Sequence, residues 1–239
     1  MIKDHNDKNL NSKLIIVYLS LFLLLNIIMA FIFIGFSDWI FDAEDEISPI
    51  FAAFTNLFFY VVLTLVLVWV SKTYLFKNQF PEFKNNLPYV VKMIVAGFLL
   101  LLATNLSISY LLTELDIMDT SINQAQLQAL VARGPLAIIP LIIFSVLLAP
   151  IAEELVFRKG LYGLVKPYVK TIGAIVISAF VFGFIHIISE PTNLIQLLPY
   201  FAMGLSLGLI YHLSGEKIIV PIAVHFLWNL LAVSAMLFL

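Results

Sequence analysis

The sequence predicts an all-α protein, a polytopic bundle of about seven transmembrane helices, and three observations carry that prediction. First, 62% of the 239 residues are hydrophobic and only 12% are charged, with a mean hydropathy of +1.04. A soluble domain is about 45–50% apolar and about 25% charged, so too few charges are present to solvate a globule of this size. Second, the chain divides into apolar stretches that approach the ~20 residues a membrane-spanning helix needs. Third, no stretch alternates with the period of two that a membrane barrel requires.

In order, the predicted spans are 14–36, 49–70, 89–112, 136 to about 165, 172–188, 194–213 and 218–239. The first follows Lys3, Lys8 and Lys13 and ends in Gly35-Phe36-Ser37-Asp38. It is longer than the ~7–15 apolar residues of a signal-peptide core and lacks a small-residue cleavage site, so it is read as a retained span. The loops orient the bundle. With alternate loops assigned to the inside, starting at the N-terminus, the inside segments carry 12 of the 13 lysines and arginines and the outside only Arg133. Setting aside Arg158 and Lys159, which fall within the fourth span, leaves 10 against 1, and the first outside loop carries Asp38, Asp42, Glu44, Asp45 and Glu46. The positive-inside rule then puts the N-terminus in the cytoplasm and the C-terminus outside. With no cysteine in the chain, disulfides, thiolate catalysis, iron–sulfur clusters and Cys-based zinc sites are excluded. No internal repeat or soluble domain is visible.

The informative residues are those that lipid disfavours. An Asp, Lys or Arg at a helix centre costs roughly 2.5–3.5 kcal/mol on insertion scales, so such groups face the bundle interior and are functional by default. Only the C-terminal half has a dense set. In Glu153-Glu154-Leu155-Val156-Phe157-Arg158, Glu154 and Arg158 are four apart and share a helix face. Glu153 lies about 100° round the helix and escapes that pair. One carboxylate is thus neutralised and structural, while the other is free to exchange a proton in an apolar setting. Pro150 sits just before, where a kink can open the helix. The second cluster is Phe182-Gly183-Phe184-Ile185-His186, and the third is His225-Phe226-Leu227-Trp228-Asn229, whose His and Asn share a face. A solvated helix end or a packed core histidine explains any one cluster; that explanation weakens when all three fall within four consecutive spans. A turn near 166–170 puts Glu153 and His186 at similar depth, about 22–27 Å along their helices at 1.5 Å per residue, with His225 and Asn229 shallower at about 12–18 Å from Lys217. Pro221 is expected to leave the start of the last span irregular. Gly204 and Gly208, with Ala179 and Gly183, suit close helix approach.

Glu-Glu-x-x-x-Arg, then Phe-x-x-x-His, then His-x-x-x-Asn on successive membrane helices resembles the CPBP family of intramembrane proteases. The name covers CAAX proteases and bacteriocin-processing enzymes; the family is also called Abi, and the type II CAAX prenyl endopeptidases belong to it. The resemblance covers about 136–239 and includes Phe201, Gly204, Gly208 and Tyr211. It divides the chain into a three-span region without a recognised motif, 1–135, and a catalytic membrane core, 136–239. It implies that Glu153 and His186 activate a water, that His225 and Asn229 stabilise the oxyanion, and that Glu154 and Arg158 support them. It leaves the cofactor open, since such enzymes have been described both as metalloproteases and as metal-independent glutamate proteases.

The residues agree with that chemistry. Peptide hydrolysis needs a nucleophile, a proton acceptor and oxyanion donors. Without Cys or a Gly-x-Ser-x-Gly signature, an activated water is the supported nucleophile. A zinc reading would use Glu153, His186 and His225 as ligands, but Asn is a poor zinc ligand and no His-Glu-x-x-His helix is present. The reading is therefore a metal-free intramembrane endopeptidase acting on a membrane-associated peptide or protein, such as a CAAX-like tail, a peptide pheromone or a bacteriocin precursor, in a bacterial cell membrane. The expected partners are that substrate and the lipid bilayer, and no nucleic acid. The competing readings are a non-catalytic bacteriocin self-immunity or scaffold protein and a proton-coupled transporter, which would more often show polar groups in both halves of the chain.

Overall fold

A computed structural model describes residues 2–35, 49–117, 122–189, 191 and 193–238, and among these the protein is helical with no strand. The acidic segment Asp38–Glu46 that bears on orientation lies outside the described residues. The long elements are α1 (Ile2–Gly35), α2 (Pro49–Thr73), α3 (Phe80–Asn85), α4 (Leu87–Glu114), α5 (Ile122–Ala132), α6 (Pro135–Leu141), α7 (Ala149–Glu154), α8 (Gly163–His186), α9 (Leu197–Leu213) and α10 (Ile219–Phe238). Among the described residues, six helical stretches are long and apolar enough to cross a membrane, and their outward faces carry large apolar side chains such as Ile16, Leu23, Leu65, Trp69 and Ile172. Lipid is the solvent that accepts such a surface.

The fourth stretch, Pro135–His186, has 52 residues, about 78 Å if straight against a hydrocarbon core of about 30 Å. It is not straight. Lys170 has φ 60° and ψ −177°, outside the helical region, and the chain reverses there. Ser178 Oγ donates to the Phe157 carbonyl at 2.7 Å, and the Phe157 and Phe182 rings meet edge to face at 5.3 Å. The stretch is two antiparallel spans, so the seven predicted crossings are present, with the turn where the lysines placed it.

The first arm of that hairpin is helical throughout, but α6 and α7 are joined by a wide π-helical turn at Ile142–Leu148, and a second follows at Leu155–Tyr162. Pro150 explains the first. Its ring clashes with the carbonyl four residues back, and it offers no N–H to the preceding turn. The second arm packs tightly on α9. A Cβ on Gly204 would lie 2.8 Å from Ala179 Cα, and one on Gly183 would lie 2.9 Å from the Phe201 backbone nitrogen. Only glycine permits that approach, as the small-residue spacing predicted.

The last span differs from expectation in one respect. Pro221 does not disturb its start: α10 begins at Ile219, and Ile222 N–H donates normally to Ile218 O at 3.2 Å. Proline within a first turn interrupts no helical hydrogen bond. The span reaches the depth of the others because it starts inside the bundle. Ser214 and Ile218 are buried, and Ile218 N–H donates to Gln79 Oε1 at 2.9 Å.

The main apolar core runs across the boundary at 135/136. Leu14 and Tyr18 of α1 and Leu63 and Leu67 of α2 share it with Leu155, Phe157, Phe182, Leu207 and Val224. The segment before α6, expected to be loop, contains the short helix α5. Its sequence, INQAQLQALVA, lacks Gly and Pro and is composed mostly of good helix formers.

Candidate active site

The three sequence clusters converge on one cavity of about 790 Å³, lined by Glu153, His186, His225 and Asn229 together with groups from α1, α2, α5 and α9. Glu153 Oε2 stands 3.9 Å from His186 Nε2 and 3.8 Å from His225 Nε2. Oε2 is buried and has no hydrogen-bond partner among the described residues. A single water can sit within hydrogen-bonding distance, about 2.8 Å, of the carboxylate oxygen and an imidazole nitrogen separated in this way.

Each imidazole is oriented by its far nitrogen. His186 Nδ1 lies 2.7 Å from the Phe182 carbonyl. A carbonyl only accepts, so Nδ1 carries the proton and Nε2 faces the cavity. The ring is held between Phe182 and Tyr200, at centroid distances of 4.5 and 4.7 Å. His225 Nδ1 lies 3.0 Å from Glu154 Oε1, so it too donates away from the cavity. Phe182, the first residue of its motif, is fully buried, touches both imidazoles, and lies under the Arg158 guanidinium at 5.2 Å.

Glu154 and Arg158 form the expected i,i+4 ion pair, Nε to Oε2 at 2.9 Å, with both side chains fully buried. Arg158 Nη1 also donates to Ser178 Oγ at 3.0 Å, which ties the pair to α8. Glu154 does more than neutralise Arg158, because its second oxygen fixes His225. A buried ion pair needs its remaining valences filled; His225 takes the second oxygen of Glu154 and Ser178 takes Arg158 Nη1, while Arg158 Nη2 has no hydrogen-bond partner among the described residues.

Asn229 is placed by the break in the fourth span. In the π-helical turn, Ala149 N–H goes to Phe144 O. The next nitrogen, that of Pro150, has no hydrogen, so the Ser145 carbonyl is left without a backbone donor. Asn229 Nδ2 donates to it at 2.8 Å. An amide nitrogen has two hydrogens, so one remains for the cavity that Asn229 lines.

The structure adds groups that the motifs did not single out. Tyr60 of α2 donates its hydroxyl to Glu153 Oε1 at 3.1 Å, and Tyr200, Ser145 and Ser178 orient the motif residues. Gln124, Gln126 and Leu127 of α5 line the same cavity. A lone Tyr in the aromatic run Phe58-Phe59-Tyr60 carries no spacing signal, and α5 lies in a segment read as loop.

The zinc alternative needs Glu153, His186 and His225 as three ligands. In a tetrahedral site with metal–ligand distances near 2.0–2.1 Å, ligand atoms lie about 3.3–3.4 Å apart. The carboxylate-to-imidazole separations here are wider, and among the described residues no group of three or more His, Asp or Glu is arranged to hold a metal ion.

Fold and site together define a multi-pass membrane protein in which Glu153, His186 and His225 line one cavity. Residues 135–231 match the family model described as type II CAAX prenyl endopeptidase Rce1-like. The chain is 30% identical over 170 residues to a putative membrane peptidase, YdiL, of Bacillus subtilis (strain 168), covering 71% of this chain and 64% of that protein. It is also 30% identical over 157 residues to the membrane-embedded CAAX protease MroQ of Staphylococcus aureus (strain USA300), covering 62% and 59%. It thus spans about three fifths of the length of these curated relatives. No solved structure matches it significantly. The membrane core formed by residues 135–231 is thus similar to the Rce1-like type II CAAX prenyl endopeptidases.

Proposed function

We propose that this protein is an intramembrane endopeptidase that hydrolyses a peptide bond of a membrane-associated peptide or protein with a water activated by Glu153 and His186. The observation that carries the reading is the buried, unpartnered Glu153 Oε2, within 4 Å of two imidazoles whose Nδ1 protons are both engaged elsewhere. Such a carboxylate is costly to bury and is suited to accepting a proton.

The water bridges Glu153 Oε2 and His186 Nε2. Its oxygen attacks the scissile carbonyl carbon and its proton passes to Glu153. The carbonyl π electrons move to oxygen, where the free N–H of Asn229 and, when doubly protonated, Nε2–H of His225 donate to the oxyanion. The oxyanion collapses, the C–N bond breaks, and the proton held by Glu153 is delivered to the departing amine. The products are a carboxylic acid and an amine, and no covalent enzyme intermediate forms. A bacterial peptide pheromone, a bacteriocin precursor or a CAAX-like tail fits this chemistry, and the similarity to a CAAX protease supports the last.

Comparative peptidomics tests the reading. A deletion strain carrying Glu153→Gln should accumulate uncleaved membrane peptides that the wild-type gene restores to their processed form. Identical peptide pools in the two strains would remove the assignment.

A further inference from the structure

We propose that Tyr60 is a positioning residue for this reaction: its hydroxyl, donated to Glu153 Oε1, holds the carboxylate so that Oε2 faces the water between the two imidazoles. The proposal rests on the reading of Glu153 as the base, and it extends the working site to α2, outside the segment 135–231 that carries the family match.

Three observations support it. Glu153 needs a tether: Arg158 is taken by Glu154, and the ion-pairing partners of Glu153 among the described residues are imidazoles nearly 4 Å away. Tyr60 supplies a hydrogen bond of 3.1 Å to Oε1, which leaves Oε2 as the oxygen without a partner. The tyrosine is itself fixed, because its ring stacks on Phe144 at 5.9 Å with a 12° tilt and meets Phe59 edge-on at 5.5 Å. Phe144 and Ser145 are neighbours in the same wide turn, so the stretch that frees a carbonyl for Asn229 also seats the ring that aims Glu153. A donor on a rigid aromatic ring restricts a flexible carboxylate before substrate arrives, which is the preorganisation a positioned base needs. Tyr60 neither gives up nor gains a proton in this role.

The test compares Tyr60→Phe, which removes only the hydroxyl, with Tyr60→Leu, which also removes the ring, in the full-length protein purified in detergent. The probe is an internally quenched, farnesylated peptide with a Cys-aliphatic-aliphatic-X tail. Tyr60→Phe should lower kcat by about 10- to 100-fold, the worth of a hydrogen bond to a charged group, with KM and Tm unchanged. Tyr60→Leu should lose kcat and Tm together. A Tyr60→Phe protein with wild-type kcat, or one whose kcat falls only in step with Tm, overturns the proposal. A readout independent of turnover uses the infrared carboxylate stretches of Glu153, isolated by subtracting the spectrum of Glu153→Gln. They should shift in Tyr60→Phe, and unchanged bands overturn the proposal even if the probe is not cut. If Glu153→Gln cleaves at the wild-type rate, the base assignment fails and takes this proposal with it. An inactive Glu153→Gln beside an unimpaired Tyr60→Phe sinks the tyrosine alone.

Discussion

Glu154 is fully buried with its oxygens divided between Arg158 and His225, whereas its neighbour Glu153 lines the cavity and keeps one buried oxygen without a hydrogen-bond partner among the described residues. This difference predicts different failures. Glu154→Gln leaves the Arg158 charge unpaired in the bundle, a loss of about 3–5 kcal/mol for a buried pair, so it should lower abundance and Tm. Glu153→Gln should leave both intact and abolish cleavage. Immunoblots of membrane fractions, paired with cleavage assays, check both. Asn229→Ala removes one oxyanion donor, so its kcat should fall roughly 100- to 1,000-fold while remaining measurable. At this scale the sequence showed part of the candidate site's geometry. Four apart on a helix means one face, so the Glu154–Arg158 pair was legible, as was the escape of Glu153 from it. The contact between Glu154 and His225 was not legible, because spacing says nothing about where a second carboxylate oxygen points across 71 residues. Tyr60 was hidden for the same reason, since it meets Glu153 only in three dimensions.

Elements place these groups through their irregularities. The wide turn at Ile142–Leu148 and the missing N–H of Pro150 together free the Ser145 carbonyl for Asn229. Pro150→Ala restores a backbone donor that can claim this carbonyl. The variant should keep its fold yet lower kcat towards the level of Asn229→Ala, and adding it to Asn229→Ala should cost little more. A double-mutant cycle on kcat reads that coupling directly. The hairpin turn stores strain of another kind. Lys170 holds a φ of 60° and ψ near 180°, a region nearly reserved for glycine that costs other residues on the order of 1–3 kcal/mol. Lys170→Gly should therefore raise Tm without changing kcat, a shift differential scanning fluorimetry can follow. Proline and lysine marked both places in the sequence, but whether a proline bends, breaks or widens a helix depends on which neighbour receives the orphaned carbonyl, and that neighbour lies on another span.

The whole molecule is a single bundle in which the N-terminal spans complete what the motif-bearing spans begin. Leu14, Tyr18, Leu63 and Leu67 enter the same core as Leu155 and Phe182, and α1, α2 and α5 wall the cavity. Composition and apolar run length were enough to read the bundle. They could not reveal that the region without motifs closes the site, because lipid-facing and protein-facing leucines look alike in a span apolar all round. Expressed alone, residues 136–239 should therefore be degraded or inactive, and co-expression with residues 1–135 should restore the protein, as protease protection in membranes would show. The central claim is that Glu153 activates water in this cavity by its own chemistry and that of His186. The most direct measurement is the rate at which purified protein cleaves its membrane peptide after exhaustive chelation, with Glu153→Gln as the blank. An undiminished rate is expected for the wild type and none for the variant. Activity lost on chelation and restored by stoichiometric zinc alone, or a Glu153→Gln protein that cleaves as fast as wild type, would contradict it.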